Sequence, residues 1–325
     1  GIAADRCYPD YKTMFAEEAK REDGIQAVSI ATPNFTHYEI LKAALEAGLH
    51  AVCEKPLCFT AEQAEELLAL AKKNNRIVGV TYGYTGAQMI HQARRMIEEG
   101  MLGEIRIINM QFAHGGNNVA VEKNAQSQAW RVDPKKAGPA FSMGDVGTHM
   151  LYLSEAICPE LHIKRLMCTK QSFVEGRQLE DNAMSIMEYD NGAIGYIWSS
   201  GVNAGEQFGF RIRIVGEKAS IAWDAEKPNY LSYEVQGESP RLLGRGNSYL
   251  YPEALADDRI GGGHPEGLFE AWSNLYTKFA LAIDRCEKGE TIDFWYPDIH
   301  AGVLGVKWVD KCVESADKDS AWIAF

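Results

Sequence analysis

The chain reads as an α/β protein, with an incomplete Rossmann-type parallel sheet followed by an α/β domain built on a large, mostly antiparallel open sheet. Three observations predict this. Residues 25–82 alternate strand, helix, strand, helix, strand, the order that yields a parallel sheet with right-handed crossovers. From residue 163 onward, long strand-like runs follow one another across short turns. The chain has 325 residues, 46% of them hydrophobic, enough to bury two cores.

The elements follow in order. "YPDYKTMFAEEAK" (8–20) reads as a short helix and "IQAVSIA" (25–31) as a strand broken by Thr32-Pro33-Asn34. "THYEILKAALEAG" (36–48) carries Ile40, Leu41, Ala44 and Leu45 at helical spacing, with Gly48 at its end. "LHAVC" (49–53) is the next strand. "TAEQAEELLALAKKNN" (60–75) opens on Thr60 and Gln63, the pattern of a capping box. "RIVGVTY" (76–82) closes the first set.

A helix over 86–100 then leads into the strand "EIRIINMQF" (104–112), an irregular stretch over 113–143, and a helix over 147–157. Strands are expected over 163–173, at "AMSIMEY" and "AIGYIWSS" about Asp190-Asn191-Gly192, at "FRIRIVG" and "ASIAWD", and over 230–237. The Asn-Gly pair is a hairpin signal. Residues 238–266 read as loop, and 267–288 and 298–315 as helices. This places a dinucleotide-type domain in 1–85 and a substrate and oligomerisation domain in 86–325, with some late helices packing back on the first.

The charge of −12, from 33 basic and 45 acidic residues, argues against nucleic acid and anionic membranes as partners. No apolar run approaches the roughly 18 residues of a membrane span, and the sequence opens on no secretory signal pattern. Seven scattered cysteines without a CxxC pair fit reduced thiols in a cytoplasmic protein. A G-x-G-x-x-G does not occur; Gly261–Gly263 follow no strand and do not substitute for it.

Five stretches could carry chemistry. "AVCEKPL" ends a strand on Glu54, Lys55 and Pro56. Lys55 is either a solvated strand-end lysine or a cation at a cleft, since ligands of α/β sheets bind at the carboxyl ends of strands. Pro56 restricts Lys55 to extended dihedrals, and Glu54 is either a surface carboxylate or a partner for a cation or a ribose or sugar hydroxyl. "SMGDVGTHM" sets Asp145 and His149 four apart, on one face if both are helical. They are a capping Asp and a buried His, or a carboxylate tuning an imidazole. A metal is not expected, because no third or fourth ligand is near in sequence. "IATPNFTHYEI" places Thr32, Pro33 and Asn34 at a strand end before a helix, with amides suited to a phosphate or ribose; His37 reads more readily as structural. Trp130 and Arg131 in "QAWRVDP", and His264 in "GGGHPEG", either anchor loops or face the cleft.

"VSIATPNFTHYEILKAALEAGLHAVCEKPL" resembles the Gfo/Idh/MocA family of sugar and inositol dehydrogenases, and "GDVGTHMLYL" resembles its second signature, here D-x-G-x-H over Asp145, Gly147 and His149. "LGEIRIINM" and "FRIRIVGEKASIAWD" are similar to the family's second domain, so the resemblance spans roughly residues 8–315. It implies oxidation of a secondary alcohol, or reduction of a ketone, on a sugar, inositol or related polyol with NAD or NADP. Lys55 then polarises the reacting hydroxyl, His149 exchanges its proton, and Asp145 holds substrate and tunes the histidine. Ala31, Thr32, Pro33, Asn34, His37, Glu54 and Lys55 are implied at the cofactor edge. Tyr82, Tyr84, Trp130, Arg131 and His264 are candidates to grip substrate beside Asp145 and His149. A homodimer or homotetramer through the second-domain sheet is implied too.

Two departures stand out. The family's first strand and glycine-rich turn are not in the sequence, so that roughly 50–70 residues are expected before Gly1. In "GVTYGY", Thr81 and Gly83 stand where asparagine and arginine are common, which removes one substrate contact. Alternative readings are a glycosidase-like enzyme using transient NAD-dependent ring oxidation and, if the N-terminal segment is absent, a non-catalytic partner protein.

Overall fold

The structure, a computed structural model, describes residues 2–120 and 129–325; part of the irregular stretch, 121–128, lies outside the described residues, as does Gln128 of "QAWRVDP". The first sheet has three parallel strands in the order β1 (Ala27–Ile30), β2 (His50–Cys53), β3 (Val78–Val80). Helices α1 (Tyr11–Glu18), α2 (His37–Glu46) and α3 (Ala61–Lys73) accompany it. Apolar spacing puts Leu41, Ala44 and Leu45 of α2 and Ala64 and Leu67 of α3 in a core with Cys53 and Val80. Ile30 pairs with Cys53, and Cys53 with Val80. The three strands therefore end level, and residues 31–34, 54–56 and 81–84 leave the sheet at one edge.

At the start of α3, the Thr60 hydroxyl accepts from the Gln63 N–H at 3.3 Å, while Gln63 accepts from the Phe59 N–H at 3.0 Å. The glutamine reaches one residue further back than a capping box requires. The Asp310 carboxylate accepts from the Ala61 N–H at 2.8 Å, which ties this helix start to the C-terminal part of the chain.

Helix α4 (Gln88–Glu98) leads to a nine-stranded sheet formed by β4 (Ile105–Ala113), β5 (Ile163–Gln171), β6 (Asn182–Tyr189), β7 (Ile194–Ser200), β8 (Phe210–Gly216), β9 (Ala219–Asp224), β10 (Tyr230–Val235), β11 (Arg241–Gly244) and β12 (Ile323–Ala324). The order is β11-β10-β9-β8-β4-β7-β6-β5-β12. Among the described residues every pairing is antiparallel except β4 with β7. The expected Asn-Gly hairpin joins β6 and β7: the Gly192 N–H reaches Tyr189 O at 3.0 Å, and Gly192 takes φ 87°. Alternation puts Ile108, Met110 and Phe112 of β4 and Ile212 and Ile214 of β8 inside, under α4 and α5 (Thr148–Ile157).

The stretch 238–266 is not all loop. It contains β11, paired antiparallel with β10, and a helical turn at Pro252–Leu255. Four residues flanked by Gly, Ser and Pro offer too little alternation to announce a strand. Helix α6 (Leu268–Glu287) follows, and α7 (Ile299–Asp317) packs against both α3 of the first sheet and β5 of the second.

Candidate active site

The carboxyl edge of the three-stranded sheet faces the inner side of the large one. The Lys55 ammonium donates to the Asp145 carbonyl at 2.6 Å and to its carboxylate Oδ1 at 3.0 Å. Asp145 sits in a π-helical turn, Met143–Gly147, that runs directly into α5 and His149. The turn passes tightly over its neighbours: a Cβ at Gly147 would lie 2.7 Å from Ser199 Oγ and 2.8 Å from the Trp308 ring. Glycine in D-x-G-x-H is thus the residue that lets this turn lie against β7 and α7.

A cavity of about 310 Å³ opens over these groups. It brings together Lys55, Tyr84, Asp145 and His149, all expected from the sequence. The Tyr84 ring meets His149 edge-on at 5.0 Å between centroids. Arg131 stands at 4.0 Å from Asp145 Oδ1, its guanidinium over the Trp130 ring at 5.0 Å. Trp130 therefore acts on the site through Arg131.

At the cofactor edge, Ala31 and Thr32 are exposed and Pro33, Asn34 and Glu54 half-buried. The Asn34 amide donates to Ala137 O at 3.3 Å, across to the second domain. His37 fits its structural reading and not the cofactor-edge place the resemblance implied. It is fully buried, its ring nitrogens at 2.7 Å from Thr32 O and 2.8 Å from Pro56 O, so it ties the two strand ends together and has no face for a cofactor. Tyr82 is also buried, stacked on Tyr152 at 4.7 Å and covered by α7 at Gly305, and does not reach the cavity. His264 lies on an exposed loop held by Arg245, which donates to its carbonyl, and it does not line the cavity.

Five lining residues were not among the sequence candidates: Val146 between Asp145 and Gly147, Phe112 and His114 at the end of β4, and Gln207 and Phe208 before β8. Phe112 stacks on Phe210 at 4.7 Å, with Phe208 beside both, giving the cavity an apolar wall opposite its charges. His114 Nδ1 accepts from the Gly116 N–H at 3.0 Å, which leaves Nε2 as the protonated nitrogen of the neutral ring.

The electrostatics favour a free imidazole. Burial and the Lys55 charge push His149 well below the ordinary imidazole value, against a smaller upward pull from Asp145. Its Nδ1 is buried without a hydrogen-bond partner among the described residues. Burial raises Asp145, but Lys55 and Arg131 outweigh it and hold the carboxyl at about 2. Burial lifts Tyr84 to about 12 and lowers His114. A proton acceptor, an ammonium and a fixed carboxylate thus share one small cavity, the set needed to move a proton on and off an alcohol.

Among the described residues, no group of three or more His, Cys, Asp or Glu could hold a metal, and no helix is long and apolar enough to cross a membrane.

An inositol dehydrogenase homolog from Azotobacter vinelandii, solved with NADH and myo-inositol, is 57% identical, with a TM-score of 0.94 over 100% of this chain and 84% of that one. The same homolog complexed with NAD+ gives 59% identity and a TM-score of 0.98, over 100% of this chain and 85% of that one. An uncharacterized oxidoreductase of Bacillus subtilis, YfiI, is 55% identical over 100% of this chain and 84% of its own length. Residues 2–82 match the NAD-binding Rossmann fold of the oxidoreductase family, and residues 94–325 match its C-terminal alpha/beta domain. The chain belongs to the Gfo/Idh/MocA oxidoreductase family.

Proposed function

We propose that the protein is an NAD-dependent dehydrogenase that interconverts a secondary alcohol and a ketone on a cyclic polyol of the inositol type. The observation that carries this reading is the Lys55–Asp145 pair set beside a deprotonated His149, in a cavity at the carboxyl edge of a parallel sheet. The substrate class and the preference for NAD draw support from the relative solved with NADH and myo-inositol.

The residues present suit the nicotinamide end of such a cofactor. The exposed Thr32 hydroxyl and the Glu54 and Lys55 side chains stand at the level carboxyl ends of β1 and β2, beside the cavity. NAD supplies a hydride acceptor when bound. His149 takes the proton of the reacting hydroxyl, and Lys55 stabilises the negative charge that grows on its oxygen. Asp145 fixes the ammonium and has lone pairs free for a neighbouring hydroxyl. Arg131 on its Trp130 platform and Tyr84 bound the space for the rest of the ring.

We place the domain boundary at residue 85 and the protein in the cytoplasm, the latter supported by seven cysteines that are all free. The test is the rise of NADH absorbance with NAD+ and myo-inositol, repeated with other cyclic and open-chain polyols. Turnover of at least one cyclic polyol, with ketone formed in step with NADH, is expected. Absence of NADH across the whole series would reject the reading, and ring cleavage without net NADH would replace it by the glycosidase-like one.

A further inference from the structure

The buried carboxylate of Glu180 sits at the start of the turn that carries Asp145. One of its oxygens, Oε1, accepts from the Phe141 N–H at 3.0 Å, the Met143 N–H at 2.9 Å and the Ser142 hydroxyl at 3.2 Å. Its other oxygen takes a second bond from the Phe141 N–H at 3.0 Å. The first N–H groups of a helical segment have no partner within it, and here a residue 37 positions away from Met143 provides one. The Ser142 side chain makes no local cap.

Glu180 is itself held by the sheet. Its neighbour Asp181 is fully buried, bonds Gln171 O and the Gly201 N–H through its backbone, and pairs with Arg177 at 3.2 Å. The Asp145 N–H donates to Phe141 O at 2.8 Å, so the residue that Glu180 grips also holds the amide of Asp145.

We infer that Glu180 is a positioning residue for the reaction: it fixes the height and register of the 143–147 turn, and so keeps Asp145 on Lys55 and His149 in the cavity. It touches neither substrate nor cofactor. Its kinetic arm rests on the dehydrogenase reading; its chemical arm does not.

Glu180→Ala removes all four bonds, whereas Glu180→Gln keeps an oxygen that can serve the three donors at Oε1 and loses only the second bond from the Phe141 N–H, which an amide NH2 cannot accept. Two readouts separate positioning from bulk stability. The first is the rate at which acetic anhydride labels Lys55, followed by peptide mass: the Asp145 pair shields this amine, and Glu180→Ala should speed its labelling severalfold while Glu180→Gln stays near wild type. The second is kcat with NAD+ and a cyclic polyol. It should fall about 100-fold in Glu180→Ala with KM little changed, the loss expected of a displacement near 1 Å, and be restored in Glu180→Gln. Should Glu180→Ala not fold, Glu180→Gln must still show wild-type Lys55 shielding and kcat. Impairment of Glu180→Gln to the level of Glu180→Ala, or unchanged labelling and kcat in Glu180→Ala, overturns the inference. If the wild-type protein turns over no polyol, the dehydrogenase reading fails by itself and Lys55 labelling still decides the role of Glu180.

Discussion

Lys55 and Asp145 act on His149 with opposite signs, which makes their roles separable. The lysine charge lowers the imidazole pKa and the carboxylate raises it. In the wild type the His149 midpoint, followed by NMR titration, should therefore lie below the ordinary 6.5. Lys55→Met should move it up and Asp145→Asn should move it further down. Equal direction in the two variants would show that the site is not organised as described. Because the alcohol proton goes to free imidazole, the acid limb of kcat/KM for oxidation should follow the same midpoint. Asp145 stays ionised down to about 2 and adds no limb of its own in the working range. Lys55→Ala should lower kcat by about 100- to 1,000-fold, the loss typical of removing one group that stabilises oxyanion charge. Its NAD+ affinity, measured by calorimetry, should fall far less than kcat; an equal loss of both would make cofactor binding the main role of Lys55. Of these chemical groups, Lys55, Asp145 and His149 were legible because local motifs carry them. His114, Phe112, Gln207 and Phe208 were not, since nothing around them marks a site until the β4–β8 pairing brings them over His149. His37 and Tyr82 fail in the other direction: their place in the chain is right for the cleft, but only packing shows that their rings are sealed beneath it.

At the scale of elements, the turn before α5 is the sensitive joint. Gly147 has no room for a methyl group between Ser199 and Trp308, whereas a Cβ at Gly144 would meet nothing within 4 Å. Gly147→Ala should thus destabilise the fold by about 1–3 kcal/mol, the range of overpacked interior positions, in urea unfolding. Gly144→Ala is its control and should stay within about 0.5 kcal/mol of wild type. If the two variants lose equal stability, close approach is not what selects glycine in D-x-G-x-H. In the first domain, α2 was readable from its apolar spacing and α3 from Thr60 at its start. The π-helical turn was not, because Asp145 and His149 keep the four-residue spacing that an α-helix would also show. Its geometry is imposed by partners remote in sequence, Glu180 above and Trp308 beside it. The strand β11 was missed for a related reason: it is short, and its register with β10 supplies what its own residues lack.

The whole molecule poses a problem of exposed surface. The inner face of the nine-stranded sheet is covered by helices, but the outer face carries Ile107 and Ile194, directly paired across β4 and β7 and 44% and 40% exposed, and exposed Tyr230 and Leu242 further across the sheet, on β10 and β11. A hollow of about 770 Å³ lies on the same face, floored by Asn109, Gln111 and Tyr196 and flanked by Arg211 and Arg213. Apolar groups spread over a broad sheet and rimmed by charge are what a self-association surface presents, and an open sheet face gives a two-fold partner the same strands to pack against. We therefore expect a dimer, or a tetramer built from such dimers, joined through this face. The double variant Ile107→Asp/Ile194→Asp places two carboxylates at its centre, on side chains that contribute little to the core of the single chain. Light scattering coupled to size exclusion should then report the monomer mass where the wild type reports a multiple of it, with the far-ultraviolet circular dichroism unchanged. A multimer that survives both substitutions would move the interface elsewhere, and a wild type that runs as a monomer at micromolar concentration would leave the exposed face to some other partner.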